Sequence, residues 1–400
     1  MGLLLLAYLA SFLVGGHTIR GFGLASGAEY VVLGFVLGPT VLGLVEKSML
    51  ATFDPIADVA VGWIALLIGF GFGVDGEQRA RTTSMLGGTL VSLFTGAVLF
   101  APLWFLTGRL TPLHGVDRIL LVGGIAAACS ETTRQSVRWV SERYDAKGPL
   151  LRLLGELSQS DDLAPIVAVA VLFSLRTPAQ LPWTMAPWGW TLVTLGFGVV
   201  MGALAALLLG RDFRRNESWG VLLGLSVMGI GITARLGLSS IGTMFAMGVT
   251  IALLSQHRTA LREMVAPTDR RVLHPALLLA GAHVDPRAMG SIAFILLFTI
   301  AARMAAKALT GLMLGAVSPA ARSAGPLLGL GLLSSGGLSM TIGLAFALQF
   351  PGAIGDTVLT TAAAVVVFGE FVGPIALRVA LRQAGEIRPQ ETLPQDLAKA

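Results

Sequence analysis

The sequence predicts an all-α polytopic membrane protein of about thirteen transmembrane helices, arranged as an inverted repeat with two discontinuous helices. Three observations carry that expectation. Apolar residues make up 54% of the 400 and charged residues only 13%, with a mean hydropathy of +0.78, far from soluble globular usage. Apolar runs of about 17 to 25 residues, the length a helix needs to cross the hydrocarbon, recur from end to end between short charged loops. Two of these runs are interrupted at matching places in the two halves of the chain, which is the sequence sign of inverted-repeat transporters.

Taken in order, the expected spans are Leu3–Gly15, Ala28–Leu44, Pro55–Val74, Met85–Thr107, Ile119–Val140, Pro149–Leu175, Trp188–Gly210, Trp219–Leu236, Ser239–Leu254, Val272–Ala282, Ser291–Ala316, Pro326–Phe350 and Thr357–Leu381. The first lacks the basic leader and small-residue cleavage site of a signal peptide and is read as a helix. The tenth is cut by Pro275. The fifth is broken at Ala128-Cys-Ser-Glu-Thr-Thr-Arg-Gln135 and the twelfth, seven spans later, at Leu333-Ser-Ser-Gly-Gly-Leu-Ser339. Ordinary close helix packing is the competing explanation for Gly336 and Gly337. Residues 384–400 form a short tail, too small to fold alone.

The net charge of +5 sits in single Lys and Arg residues of short loops, without the basic face that nucleic acid would need. One set of loops holds Arg79, Arg81, Arg138, Arg143, Lys147, Arg211, Arg214, Arg215, Arg258, Arg262, Arg270, Arg271 and Arg322, and the C-terminal end adds Arg378, Arg382 and Arg388; the other holds little beyond Lys47, Arg109, Arg118, Arg176 and Arg287. By the positive-inside rule the first set is cytoplasmic, the N-terminus outside and the C-terminus inside. Cys129 is the sole cysteine, so an intrachain disulfide is excluded and no Cys/His cluster suggests zinc. There is no phosphate loop or catalytic triad, so neither an enzyme nor a cofactor is expected; Gly69-Phe-Gly-Phe-Gly73 lies within apolar helix.

Asp161 and Asp162 stand side by side in the apolar sixth span. Each carboxylate at membrane depth costs about 3 kcal/mol on insertion scales, so the doublet calls for a visiting ion or proton. The dull alternative, an acidic loop, is opposed by apolar flanks on both sides. Consecutive helical residues diverge by about 100°, so the two acids cannot face one group. Burial and a like-charged neighbour both favour the neutral acid, which brings protonation of such a pair toward the physiological range.

With these features the chain resembles the monovalent cation:proton antiporters, specifically the second cation:proton antiporter family with its bacterial sodium/proton exchangers. The resemblance rests on Leu33-Gly-Phe-Val-Leu-Gly-Pro39, Asp161-Asp162, Lys307 followed by Gly311, Ser335-Gly-Gly-Leu-Ser339 and Glu370-Phe-Val-Gly-Pro374, in that order. It implies two crossed broken helices within one transporter domain, residues 1–383. That domain would divide into a mobile core (roughly 85–175 and 291–383) and a dimerisation scaffold (roughly 1–74 and 188–282). It also implies exchange of sodium, or potassium, for protons by elevator-like alternating access, electrogenic by the Asp-Asp pattern, in a homodimer of a bacterial inner membrane. Glu131 and Arg134, beside Thr132 and Thr133, depart from the uncharged, Thr-rich break usual in the family.

The resemblance assigns Asp162 as the carrier of cation and proton, with Asp161 beside it and available to Lys307. Ser158, four residues before Asp162, would share its face and lend a hydroxyl, and carbonyls freed around Thr132 and Thr133 would complete the alkali-cation cage. A buried Lys307 needs Asp161, Glu131 or the negative ends of half-helices. Arg303, one turn earlier, is either a second compensating charge or a stem that snorkels to the interface. Glu131 is expected to offset the positive ends of half-helices, and backbone at Ser335, Gly336 and Gly337 to line the midplane. Cys129 would be open to an aqueous cavity. Asp58, Glu156, Arg235, Glu370 and Arg378 read as salt bridges or interfacial groups, and His257, His274 and His283 as weak pH-sensor candidates. A cation-coupled organic-anion symporter and a transport-inactive sensor are the rival readings.

Overall fold

The computed structural model describes residues 27–72, 82–176, 185–210, 215–288, 290–325 and 327–387; the expected first span and the tail from residue 388 lie outside them. Among the described residues all regular structure is helical: α1 (Ala28–Leu37), α2 (Lys47–Gly71), α3 (Thr82–Leu110), α4 (Gly115–Ala128), α5 (Arg134–Tyr144), α6 (Pro149–Ser160), α7 (Leu163–Phe173), α8 (Pro187–Leu208) and α9 (Arg215–Leu236). The second half adds α10 (Ser240–Leu254), α11 (Arg258–Val265), α12 (Thr268–His283), α13 (Ile292–Val317), α14 (Pro319–Arg322), α15 (Leu328–Gly331), α16 (Gly337–Gln349) and α17 (Ala353–Gln383). Among the described residues seven spans, counting α6 and α7 as one, are long and apolar enough to cross a membrane, and α1, α10 and α16 are shorter apolar helices. This is a multi-pass integral membrane protein.

Several boundaries differ from the sequence expectation for local reasons. The second span stops at Leu37, not Leu44, because Gly38 turns extended ahead of Pro39, and the residue before a proline avoids the helical region. The tenth runs unbroken through Pro275 from Thr268 to His283, longer than expected, as buried transmembrane helices tolerate proline. The sixth, expected as continuous, is interrupted at the acids: α6 ends at Ser160 and α7 begins at Leu163. Pro165 has no N–H for the Asp161 carbonyl four residues back, which loosens the turn at the doublet.

Several helix pairs join corresponding elements of the two halves. α1 lies along α12 as α2 lies along α10, and α3 meets α13 as α4 meets α16. The α1–α12 and α2–α10 pairs use the same device, a glycine on each helix facing the partner backbone. A Cβ on Gly34 would sit 2.0 Å from the Leu278 carbonyl oxygen and one on Gly281 2.1 Å from that of Val31. The second pair repeats it with Gly69 against Phe245 at 2.2 Å and Gly248 against Leu66 at 2.3 Å. Small residues let the backbones close where lipid offers no hydrophobic drive.

Among the described residues, contacts between loops tie both ends of the bundle. At one end Lys47 Nζ meets Asp285 at 3.1 Å and Arg176 meets Asp117 at 2.6 Å. Burial acts to raise the Asp285 pKa, but the Arg287 N–H and the Lys47 and Arg287 charges outweigh it and hold the carboxyl below its usual range. At the other end a small apolar core joins α5, α6, α14, α15 and the last turns of α17 through Val140, Leu150, Leu154, Leu328, Leu377 and Ile387.

Candidate ion-binding site

The two interrupted spans cross at their breaks. Cys129 to Thr133 separates α4 from α5, and Leu332 to Gly336 separates α15 from α16. The stretches bind each other directly: Thr133 N donates to Ser334 O at 3.0 Å, and Ser339 Oγ donates to Ala128 O at 2.5 Å. A break leaves orphan N–H groups at the start of one half-helix and orphan carbonyls at the end of another, each with a partial charge.

Buried charges meet those partial charges. Glu131, 2% exposed, takes its Oε1 to the start of α16, accepting from Gly336 N at 2.8 Å and Ser339 N at 3.0 Å, with Ser339 Oγ 2.8 Å away and its single proton divided between this oxygen and Ala128 O. A carboxylate thus caps a positive helix end from another segment. The cations serve the negative ends. Lys307, fully buried on α13, donates to Ser130 O at 2.9 Å, just past α4, and to Thr132 Oγ1 at 2.7 Å. Arg303 donates to Leu333 O, just past α15, at 2.8 Å and to Glu131 O at 2.7 Å. Arg303 is 2% exposed, so it does not snorkel to an interface: its helix face points at the crossing. Close approach of α13 to α15 rests on Gly311 and Gly329, which face each other's backbone.

The acids separate. Asp161 points inward, 2% exposed, and its Oδ2 accepts from Thr132 N at 2.8 Å, while Oδ1 is buried without a hydrogen-bond partner. It forms no ion pair with Lys307. Thr132 joins them instead, its hydroxyl accepting from Lys307 and donating to Leu332 O at 3.3 Å. Asp162 turns the other way, half-buried, onto a cavity of about 330 Å³ shared with Ser158, Thr133, Glu131, Gly337 and Arg134. No described residue hydrogen-bonds its carboxylate. The cage expected around both acids is therefore divided: Asp162, Ser158 and Thr133 face the cavity, whereas Asp161, Thr132 and Lys307 lie behind it. Ser158 Oγ donates to Gly155 O at 3.2 Å and keeps lone pairs for a cation. Of the second break, Gly337 reaches the cavity and Ser335 Oγ is buried without a partner.

The far wall of the cavity is α2, through Ile64, Leu67 and Ile68, with Arg262, Asp269 and Leu273 from α11 and α12. Arg262 and Arg138 were legible in the sequence only as loop charges that mark a membrane side, and Asp269, Gln135 and Gln159 carried no signal for the site. Ser130 and Ser339 were legible only as small polar residues in the breaks. Cys129 is fully buried, against the expectation of an open thiol, because the cavity forms on the Thr133 side of the break.

Residues 5–383 match the family model described as sodium/hydrogen exchanger, transmembrane. The chain belongs to the sodium/hydrogen exchanger family. The exchanger also resembles the sodium proton antiporter MjNhaP1 of Methanocaldococcus jannaschii in two solved structures. One, at pH 8, gives a TM-score of 0.68 at 14% identity over 96% of this chain and 97% of that one. The other gives 0.59 at 17% identity over 97% and 98%. At such identities the likeness speaks for the fold. A curated relative, the fluoride-specific ion channel FluC of Caulobacter sp. (strain K31), is 35% identical over 101 residues, 25% of this exchanger and 71% of that protein. That stretch is a quarter of the chain, whereas the exchanger match spans nearly all of it.

The remaining ionisable residues lie away from the crossing or serve local ties. Asp58 accepts from Ser240 at 3.0 Å, Arg378 stacks over Tyr144, and Arg235 is exposed. Glu370 is buried and accepts from Ser136 at 3.1 Å, and Glu156 is half-buried on α6. His274 stacks on Tyr30, His283 lies 3.1 Å from Asp54, and His257 stands at the start of α11.

Proposed function

We propose that Asp162 is the carrier of this cation:proton antiporter, binding a proton or a monovalent cation in turn from the cavity, with Ser158 and Thr133 lending oxygens. One observation carries the reading: Asp162 is the carboxylate at the crossing that faces open space without a protein partner, while Glu131 and Asp161 are engaged by backbone N–H groups. A carboxylate so placed holds a proton or an alkali ion but not both, and that competition is exchange. Sodium is the favoured cation. Asp161, coupled to Lys307 through Thr132, supplies a second proton per cycle and makes the exchange electrogenic.

The cavity separates α2, α11 and α12 from the crossing, as expected if residues 1–74 and 188–282 form a scaffold and residues 85–175 and 291–383 a moving core. Its rim carries Arg138 and Arg262, members of the basic set, so by the positive-inside rule it opens to the cytoplasm. The same reading places the N-terminus outside, and the protein as a homodimer in a bacterial inner membrane. The outward apolar face of α8, with Trp188, Leu192, Val200 and Leu207, suits lipid or a second copy.

The test is sodium-dependent proton flux in proteoliposomes. Asp162→Ala is expected to abolish exchange and Asp161→Asn to lower it and weaken its response to membrane potential. Wild-type flux in Asp162→Ala would overturn the assignment.

A further inference from the structure

We infer that Glu386, beyond the last transmembrane helix, is a positioning residue for the acidic doublet, because it clamps the first turn of α6. α6 opens on Gly148-Pro149, and neither supplies a side-chain cap. With proline lacking an N–H, the first orphan donors are the amides of Leu150 and Leu151. Both are taken by one carboxylate: Leu150 N donates to Glu386 Oε1 at 2.6 Å and Leu151 N to Oε2 at 2.8 Å. Lys147 N adds a bond to the Glu386 carbonyl at 3.0 Å. A carboxylate at a helix N-terminus, bonded through both oxygens, is the strong form of a cap.

The seat is made to fit. A Cβ on Gly148 would lie 2.2 Å from the Glu386 carboxyl carbon, so the missing side chain admits the acid. Glu386 is buried, its own N–H donates to Leu381 O at 2.9 Å, and Ile387 anchors in the small core under α5, α6 and α17. α6 is only 12 residues long and Asp161 follows its last residue. The turn at the doublet is loosened by Pro165, so the axial position of Ser158, Asp161 and Asp162 is fixed from the other end, at the clamp. This role rests on Asp162 being the carrier.

The experiment compares full-length Glu386→Gln, Glu386→Ala, Gly148→Ala and the double variant Gly148→Ala/Glu386→Gln with wild type, with the exposed Glu263→Gln as control. Sodium-dependent proton flux per folded protein and amide exchange at Leu150 and Leu151 are read on each. The half-saturating sodium concentration is expected to rise about 3- to 10-fold, with a smaller change in maximal rate, in both the Glu386 and the Gly148 variants. The double variant should be no worse than the more affected single one, since both changes remove the same clamp. Amide exchange should quicken at Leu150 and Leu151, and Glu263→Gln should behave as wild type. Should Glu386→Ala fail to fold, Glu386→Gln and Gly148→Ala carry the test. Unchanged half-saturation in these folded variants, or additive losses in the double variant, overturns the positioning role. Wild-type flux in Asp162→Ala would sink the carrier assignment instead, while the amide-exchange result would still report on the clamp.

Discussion

Glu131 carries more of the crossing than any other residue: one side-chain oxygen takes the backbone N–H groups of Gly336 and Ser339 at the start of α16, and its backbone carbonyl takes Arg303. Replacing it with Ala leaves two backbone N–H groups without an acceptor and takes a negative charge from beside the buried Arg303 and Lys307, and should cost about 3–5 kcal/mol. Glu131→Gln keeps one oxygen in place and should cost less than half as much. Thermal unfolding in detergent, followed by size exclusion, reads the difference; equal losses would mean that the cap contributes little. The charges of this site were legible because a charge in an apolar run is conspicuous by its cost. Their partners were not. Sequence placed Arg303 one turn from Lys307 but carried no helix orientation, so whether it reached lipid or the crossing depended on which face of α13 packs inward. Asp161 and Lys307 looked like a pair because opposite charges suggest one; the structure puts Thr132 between them, a contact across 175 residues that no local pattern encodes.

At the scale of elements, the helices pack where glycines allow. Gly34→Ala and Gly248→Ala would force their partner helices outward, against backbone oxygens 2.0 Å and 2.3 Å from the new carbon, and each should destabilise by about 1–3 kcal/mol. Gly224→Ala in α9 meets nothing within 4 Å and should be neutral or stabilise by up to about 1 kcal/mol, by helix propensity. Melting temperatures of the three variants, measured side by side, decide it; a loss at Gly224 as large as at Gly34 would remove the packing argument. The long apolar spans were readable from length and hydropathy alone. What shifted were their ends and interruptions, at Gly38, Pro165 and Pro275, since a proline marks where a hydrogen bond is lost but not whether neighbouring helices make up for it.

For the molecule as a whole, the cavity between α2 and the crossing is the space that alternating access must close. A bismaleimide joining cysteines placed at Leu67 and Gln135, in a background where buried Cys129 is replaced by Ala, should stop sodium-driven proton flux, and the two single-cysteine proteins should keep it. Continued flux in the crosslinked protein would show that these walls do not move against each other. The crossing itself holds three acids, Glu131, Asp161 and Asp162, and two buried bases, Arg303 and Lys307, with the Arg134 guanidinium on the cavity wall that Asp162 faces. Counted together the six formal charges cancel, so the cost of keeping an Asp162 carboxylate without a hydrogen-bonding partner is shared by the whole cluster. Under the proposed cycle one alkali ion raises the sum by one and two protons raise it by two. The two loaded forms then differ by a whole charge, and the membrane voltage becomes a third gradient that pulls on the exchange.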